Sequence, residues 1–263
     1  MAKRLTPWEK EWVQLRKREQ KWMETNRQYR QPPLNRLLED KVPPKLQKTL
    51  EGAFCKSFST MFQKGTPLLE RTFSPYELSK QQQVDEFAAR LRQDRRSLKT
   101  FSRRSGRAGG VNLALSGVEG VALGALGVGI PDVPLFIGLM LRSLYEMACH
   151  FGFPYDTPDE QYFLLKLIQG ALSYGKELKL CDHALNLFID TPALPIHYDL
   201  NMQITLTAQA LSQQLLYMKF LQGIPLVGVA GGAYDMVCLH RVQQFARLKY
   251  QRRLLLAHRV QIV

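Results

Sequence analysis

Apolar residues recur at helical spacing along most of the chain, and three of these stretches open with the same start signal. Each signal has a hydroxyl residue, then a proline and, three positions after the hydroxyl, a glutamate. The hydroxyl caps the backbone of the first turn, the proline gives up an N–H that has no partner there, and the glutamate reaches back to the capping residue's amide. The pattern predicts helices that are capped by Thr6, Ser74 and Thr157.

Behind the first two starts, the apolar residues fall near one face of the predicted helix. These faces consist of Trp8, Trp12, Leu15 and Trp22 in the first helix and of Val84, Phe87, Ala88, Leu91 and Leu98 in the second. Further helices are predicted over Lys45–Phe62, Glu160–Tyr174, Leu178–Ile189 and Gln203–Leu221, with a connection at Thr191–Pro195. Alternating strand patterns are scarce, so the predicted fold is all-α, a multi-helix bundle.

Two apolar segments rich in glycine interrupt this pattern, at residues 108–141 and 221–240. Each passes through a single aspartate into an amphipathic helix that contains an arginine, which suggests two related helical hairpins. A membrane-spanning helix needs about 20 largely apolar residues, and such runs without charge are shorter here. Transmembrane spans are therefore disfavoured. Two interpretations remain, namely close packing in a protein core and insertion into a membrane interface.

The composition is that of a chain that can bury a sizeable core. It has 263 residues, of which 45% are hydrophobic and 22% charged, so intrinsic disorder and a collagen-like structure are excluded. The four cysteines lie far apart, which excludes a disulfide scaffold, and the charged start of the chain is unlike a signal peptide. We therefore predict a cytoplasmic protein with reduced thiols, divided into a basic helical region at residues 1–73 and a helical domain at residues 74–263.

The net charge of +13 is distributed unevenly. Residues 1–107 hold 25 basic and 12 acidic side chains, residues 108–240 hold 5 and 11, and residues 241–263 hold 6 and none. The densest basic cluster ends where the first glycine-rich segment begins. It comprises Arg90, Arg92, Arg95, Arg96, Lys99, Arg103, Arg104 and Arg107.

Both basic regions border a glycine-rich apolar segment, and this arrangement favours an anionic membrane surface, which attracts each Lys or Arg by about 1 kcal/mol. Nucleic acid would attract the same cluster through its phosphates, but no zinc-finger, RRM or KH signature supports that alternative. The plain alternative is a solvated helix face. We expect the arginines of this cluster and Lys99 to contact lipid headgroups, and the segments Gly109–Leu141 and Gly223–Val237 to form close-packed or membrane-dipping hairpins.

Asp132 and Asp235 are the polar residues that most invite a chemical role, because each stands alone beside an apolar segment. A buried carboxylate could have a raised pKa and act as an acid or a base. More simply, each could cap the following helix or pair with an arginine, for which Arg142 and Arg241 are the candidates. We favour the structural role. An enzyme that acts on lipid or peptide through these aspartates stays open as an alternative.

No motif indicates a cofactor or a metal. Cysteine and histidine occur as three short pairs, but none has the spacing of a structural zinc site. The stretch Gly124–Gly129 lacks both the preceding strand and the following lysine of a nucleotide loop, and no hydrolase elbow is present. We therefore predict a protein without catalytic residues, cofactor or metal.

The glycine-rich segments and their flanks resemble the signatures of the bacterial EcsC family. The first likeness runs from Gly124 to Tyr155 and includes Gly129-Ile130-Pro131-Asp132-Val133-Pro134. The second comprises Ile224-Pro225-Leu226-Val227-Gly228 with Ala246, Tyr250, Arg252, Arg253 and Leu254 further on. The opening, Trp8-Glu9-Lys10-Glu11-Trp12 with Trp22-Met23, is similar to the amino terminus of the family's namesake protein.

This resemblance implies a transporter-associated role. In the namesake operon the third protein accompanies the ATPase and the membrane-embedded permease of an ABC transporter associated with protein secretion. The resemblance supplies no catalytic residues. Together with the charge pattern, it leads us to expect a non-enzymatic, peripheral protein of the inner membrane face whose partners are anionic lipid and the transporter subunits. A nucleic-acid-binding protein is the third hypothesis.

Overall fold

The computed structural model describes residues 5–30, 32–92, 132–222 and 231–260, and every regular element in these ranges is a helix. The all-α prediction is confirmed. The elements in chain order are α1 (Pro7–Thr25), α2 (Pro33–Leu38), α3 (Pro44–Thr60), a π-helical turn (Met61–Gly65), α4 (Thr66–Glu70), α5 (Pro75–Arg92), α6 (Asp132–Phe151), α7 (Pro158–Leu172), α8 (Gly175–Asp190), α9 (Leu200–Gln222) and α10 (Gly231–Val260).

The three predicted helix starts are confirmed, but only the first has the complete reciprocal cap. At α1, the Glu9 amide donates to Thr6 Oγ1 over 3.2 Å, and the Thr6 amide donates to Glu9 Oε2 over 2.7 Å. At α5 and α7 the hydroxyls of Ser74 and Thr157 accept from the backbone as predicted. The carboxylate of Glu160, however, bonds to Arg253 of α10. The prediction that it reaches back to its own helix start is therefore wrong.

The main core lies between α3, α6, α7, α9 and α10, with contributions from α8 and the π-helical turn. Its members include Phe54 and Phe58 of α3, Tyr145 of α6, Phe163 of α7 and Tyr250 of α10, all of which are fully buried. The core thus contains residues from both sides of the division predicted at residue 73, and that division stays a prediction.

The predicted apolar face of α1 is confirmed. Leu15 is fully buried against Leu248 and Leu255 of α10, and the three tryptophans pack around this small cluster. The corresponding face of α5 behaves differently, because Val84 is 57% and Phe87 64% exposed. Leu91 and Leu98 lie outside the residues whose side chains the structure describes.

The end of the first glycine-rich segment belongs to the core. Residues 133–141 form the first half of α6, where Val133, Ile137, Met140 and Leu141 are fully buried. A methyl group added at Gly138 would sit 3.6 Å from Met61 Cε, so α6 and the π-helical turn approach closely at this position. Of the two interpretations left open by the sequence, close packing is therefore the one that holds for residues 133–141.

Three helix ends meet at one end of the bundle. Helices α6 and α10 run in the same direction, since Gln243 Nε2 donates to Ser143 Oγ over 2.7 Å and, further along, the rings of Phe151 and Tyr250 stack at 5.9 Å. Lys219, near the end of α9, lies 5.9 Å from the ring centre of Phe136, near the start of α6. The two glycine-rich segments therefore join the described helices where α9 ends and where α6 and α10 begin, a region that we name the glycine-rich end.

Candidate functional site

The basic cluster predicted to contact lipid lies outside the described side chains. Arg90 and Arg92 stand at the end of α5, and the backbone there is helical. The other members, Arg95, Arg96, Lys99, Arg103, Arg104 and Arg107, fall in the gap between residues 92 and 132, and most of the segment Gly109–Leu141 falls there with them. Their contact with lipid stays a prediction.

The two aspartates occupy different places in their helices. Asp132 is the first residue of α6. Asp235 lies four residues after the first residue of α10. The prediction that Asp235 caps the following helix is therefore wrong, because it stands inside that helix rather than before it. Both side chains lie outside the described set.

Arg142 is paired with a residue that the sequence analysis did not name. Its Nε lies 3.0 Å from Glu146 Oε1, one turn further along α6. Burial raises the pKa of the Glu146 carboxyl, and the neighbouring Arg142 opposes that rise. Asp132 is ten residues away on the same helix, about 15 Å at the rise of an α-helix. A direct pair of Asp132 with Arg142 exceeds the combined reach of two side chains on a straight helix, and the other pairings of the two aspartates with Arg142 or Arg241 stay a prediction.

Arg241 closes the end of α7. Its Nε donates to the carbonyl of Ala171. Its Nη2 donates to the carbonyl of Ser173 over 3.4 Å, and its Nη1 donates to the hydroxyl of Tyr174 over 2.6 Å. The guanidinium also lies 4.3 Å from the centre of the Tyr174 ring. Because the last carbonyls of a helix carry partial negative charge, a cation placed there stabilises the helix end.

The second half of α10 carries a buried ion network that sequence reasoning missed. Lys249 is fully buried, and its Nζ lies 2.6 Å from Asp182 Oδ1 of α8 and 3.2 Å from Glu19 Oε1 of α1. Arg252 reaches the second oxygen of Glu19 over 3.2 Å. The cations of α10 therefore tie α1 and α8 to it, which a helix-by-helix analysis could not detect.

A second buried pair joins α10 to the start of α7. The two terminal nitrogens of Arg253 donate to the two oxygens of Glu160 over 2.9 and 2.6 Å. Its guanidinium lies 4.1 Å from the centre of the Phe153 ring. Burial raises the pKa of the Glu160 carboxyl, and Arg253 opposes that rise. Arg252 and Arg253 belong to the second family signature. Their position in a helix whose other residues are mostly buried was the one indication that they form buried ion pairs.

The stretch of α10 from Arg241 to Leu248 lines an open groove against α1, with a volume of about 580 Å³. We name it the basic groove. Four cations line it, and no acidic residue is among its described lining residues. The cations are Arg18 and Lys21 of α1 and Arg241 and Arg247 of α10. Trp22 lies between them, stacked on Phe245 at 5.4 Å.

Two of the buried cysteines, Cys149 and Cys181, offer no reactive thiol at neutral pH. Burial raises the pKa of Cys149 and of Cys181 to about 12, so both stay protonated at neutral pH.

Within the described ranges, no three metal-ligating side chains are grouped so that they could hold an ion. None of the helices in those ranges combines the length and the apolar composition that crossing a membrane requires.

Comparison with known proteins gives one match. The model of the EcsC protein family matches residues 3–255, nearly the whole of the 263-residue chain. The matched range includes α1, the glycine-rich end, the basic groove and the buried ion network. No curated protein and no solved structure matches the chain.

Proposed function

The chain belongs to the EcsC protein family, and on that premise we propose that it is a non-enzymatic accessory protein of an ABC transport system linked to protein secretion. In this proposal it binds peripherally to the cytoplasmic face of the membrane and contacts the ATPase and permease subunits. The observation that carries the proposal is that the end of α9 and the starts of α6 and α10, which the two glycine-rich segments join, lie at one end of the bundle.

The described part of the glycine-rich end supports contact with a lipid surface. Met236 is 45% and Val237 60% exposed in the second turn of α10, within the second glycine-rich segment. Exposed apolar residues that border a basic region are typical of an interfacial membrane site, where buried apolar area and attraction to anionic lipid act together. Because the three helix ends lie together, one surface can present both segments to the same bilayer.

Vesicle flotation tests this proposal. Wild type should float with vesicles of phosphatidylcholine and phosphatidylglycerol at low salt and should bind pure phosphatidylcholine much more weakly. Met236→Ser with Val237→Ser should weaken binding about tenfold, because two partly exposed apolar side chains no longer enter the interface. If wild type stays in the bottom fraction of the gradient at low salt, the proposal is overturned.

A matched control uses two exposed apolar residues at the opposite end. Ile196 is 95% and Met202 60% exposed. They flank Tyr198, which packs edge-on against Tyr162 at the start of α7, close to the Arg253 pair. Ile196→Ser with Met202→Ser removes a similar apolar area and should leave flotation unchanged. Equal losses in the two double variants would mean that the glycine-rich end is not the membrane surface.

Affinity capture from detergent extracts tests the partner. Tagged wild type should recover the ATPase and permease of an ABC transporter, identified by mass spectrometry. The Met236→Ser and Val237→Ser variant distinguishes direct contact with the transporter from shared residence in the membrane, because only the second depends on lipid binding. Recovery of neither subunit, in a preparation that still floats with vesicles, would retain the membrane role and remove the transporter from the proposal.

A further inference from the structure

Cations line the basic groove, and the neighbouring carboxylates are not among its lining residues. Arg18 lies 3.9 Å from Glu11, a long contact that leaves 41% of the arginine side chain exposed. Glu19 contacts Lys249 and Arg252, and Glu24 accepts from Gln20 Nε2 over 2.7 Å; neither carboxylate lines the groove. Lys21 is exposed to solvent. Cations therefore stand on both walls of the groove.

Burial and like charge act together on the deeper wall. The pKa of Arg247 is lowered by burial and, to a smaller extent, by the charge of Arg18. An anion that enters the groove would stabilise the charged form of such a partly buried cation, because Coulomb attraction is stronger where water is partly excluded. Arg18 and Arg247 therefore act on each other as like charges at the groove.

The ring of Trp22 forms part of the groove wall. The indole Nε1 of Trp22 is buried and has no hydrogen-bond partner in the structure. The Trp22 carbonyl accepts from both the backbone and the side chain of Asn26, over 3.1 and 2.8 Å. The indole nitrogen is enclosed by protein, so the cations are the donors that the groove presents to a ligand.

The position of the groove relates it to the membrane surface proposed above. Val237, Arg241, Gln244 and Leu248 follow one another at helical spacing along the same face of α10. Arg241, Gln244 and Leu248 line the groove, and Val237 is the exposed residue one turn closer to the glycine-rich end. A molecule with an anionic head and an apolar tail would fit this order of side chains.

We propose that the basic groove between α1 and α10 binds a phosphate group. The ligand is either the phosphate of an anionic lipid headgroup, whose acyl chains then lie toward Val237, or a free phosphate compound. The lipid form rests on the proposed membrane association, whereas the free form does not. Arg18, Lys21 and Arg247 supply charge, and guanidinium groups suit phosphate because they donate two parallel hydrogen bonds.

Two assays separate the sources of the phosphate. Isothermal titration with pyrophosphate measures binding of a free compound. Flotation with phosphatidylcholine vesicles that contain phosphatidic acid, at matched total charge to vesicles with phosphatidylglycerol, measures binding of a headgroup. The test variant is Arg18→Gln with Lys21→Gln. The control is Lys176→Gln with Lys179→Gln, which removes two exposed cations from α8 outside the groove.

The expected result is a loss in the groove variant that exceeds the loss in the control. Each cation removed near an anionic surface should cost about fivefold in affinity, so the groove variant should bind roughly 25-fold more weakly. Urea unfolding of both variants checks that they are folded. Lys21→Glu alone serves as a second variant, because its side chain is exposed and its reversed charge should lower binding further than Lys21→Gln.

The outcomes distinguish this inference from the proposed function. If wild type floats and both double variants lose affinity equally, the groove is not the site, although membrane association holds. If wild type binds pyrophosphate through the groove but does not float, the groove takes a free phosphate compound and the membrane proposal fails. If wild type binds neither pyrophosphate nor anionic vesicles, the groove inference is overturned.

Discussion

Near the end of α10, Lys249, Arg252 and Arg253 each meet a carboxylate within 3.2 Å. Arg241 and Arg247, nearer its start, line the open basic groove, which has no acidic residue among its described lining residues. The same helix thus uses positive charge in two ways. Where α1, α7 and α8 enclose it, each cation must be neutralised because a buried unpaired charge is very costly. At the groove, the cations of α10 lie among lining residues that include no carboxylate.

This difference shows how position along one helix can separate structural from functional charge. Buried pairs stabilise the fold only while both partners are present, so they should be sensitive to single substitutions. Accessible cations contribute little to stability and can be changed with a small structural effect. The following experiments compare the buried ion pairs with the cations of the groove, from the largest expected effect to the smallest.

Arg253→Met should cause the largest loss of stability. It leaves the carboxylate of Glu160, which is 2% exposed, without its two hydrogen bonds, and loss of one partner from a buried pair costs about 3–5 kcal/mol. The measurement is urea unfolding. Adding Glu160→Leu should restore much of the loss, because an apolar pair replaces an unpaired charge. A single-variant cost below about 1 kcal/mol would contradict the structural role.

Lys249→Met should cost more than Arg252→Met. Lys249 contacts both Asp182 and Glu19, and its loss leaves Asp182 without its described cation, which we expect to cost about 3 kcal/mol. Arg252→Met leaves Glu19 in contact with Lys249, so we expect about 2 kcal/mol. Urea unfolding measures both. Equal costs would mean that the buried lysine is not the centre of the network.

Alkaline pH should weaken the core that supports the second half of α10. Burial raises the pKa of Cys149 and Cys181 from 9.0 to about 12, so the folded state binds their protons more tightly than the unfolded state. Their contribution to stability is therefore complete below about pH 9 and is lost as the pH rises toward 12. Thermal unfolding from pH 7 to 11 measures this loss. Cys149→Ala with Cys181→Ala should reduce the slope, and an unchanged slope would assign it to other groups.

Lys21→Gln should have the smallest effect on folding. Its side chain is exposed and belongs to the α1 wall of the groove. A surface substitution of this kind changes the free energy of unfolding by less than about 0.5 kcal/mol. The same variant should still weaken phosphate binding. A stability loss above about 1 kcal/mol in urea unfolding would show that this lysine is part of the fold, and the contrast between the buried ion pairs and the cations of the groove would then be lost.

The local parts of this structure could be predicted from the chain. The helices that begin after Thr6, Ser74 and Thr157 are confirmed because a cap depends on residues within one turn. The packing of α1 through Leu15 followed from its apolar spacing. The same approach was insufficient for α5, where Val84 and Phe87 are exposed, because spacing indicates a face but not what covers it.

The candidate site could be predicted only in part. Arg241 was named from its position after a glycine-rich segment, but its contacts with Ala171, Ser173 and Tyr174 depend on how α7 ends beside α10. Lys249 was missed because Glu19 lies 230 residues away along the chain. Neither relation leaves a local pattern. The groove was missed for the same reason, since its walls come from opposite ends of the sequence.

The amino-acid sequence by itself determined the helical class, the helix starts and the uneven distribution of charge, because backbone capping and apolar spacing act over a few residues. Only the tertiary structure decided which charges are neutralised and which line a groove. Glu160 illustrates the difference: its position predicts a cap, but folding brings Arg253 within 2.6 Å. A buried cation attracts the carboxylate more strongly than the backbone amide of its own first turn does.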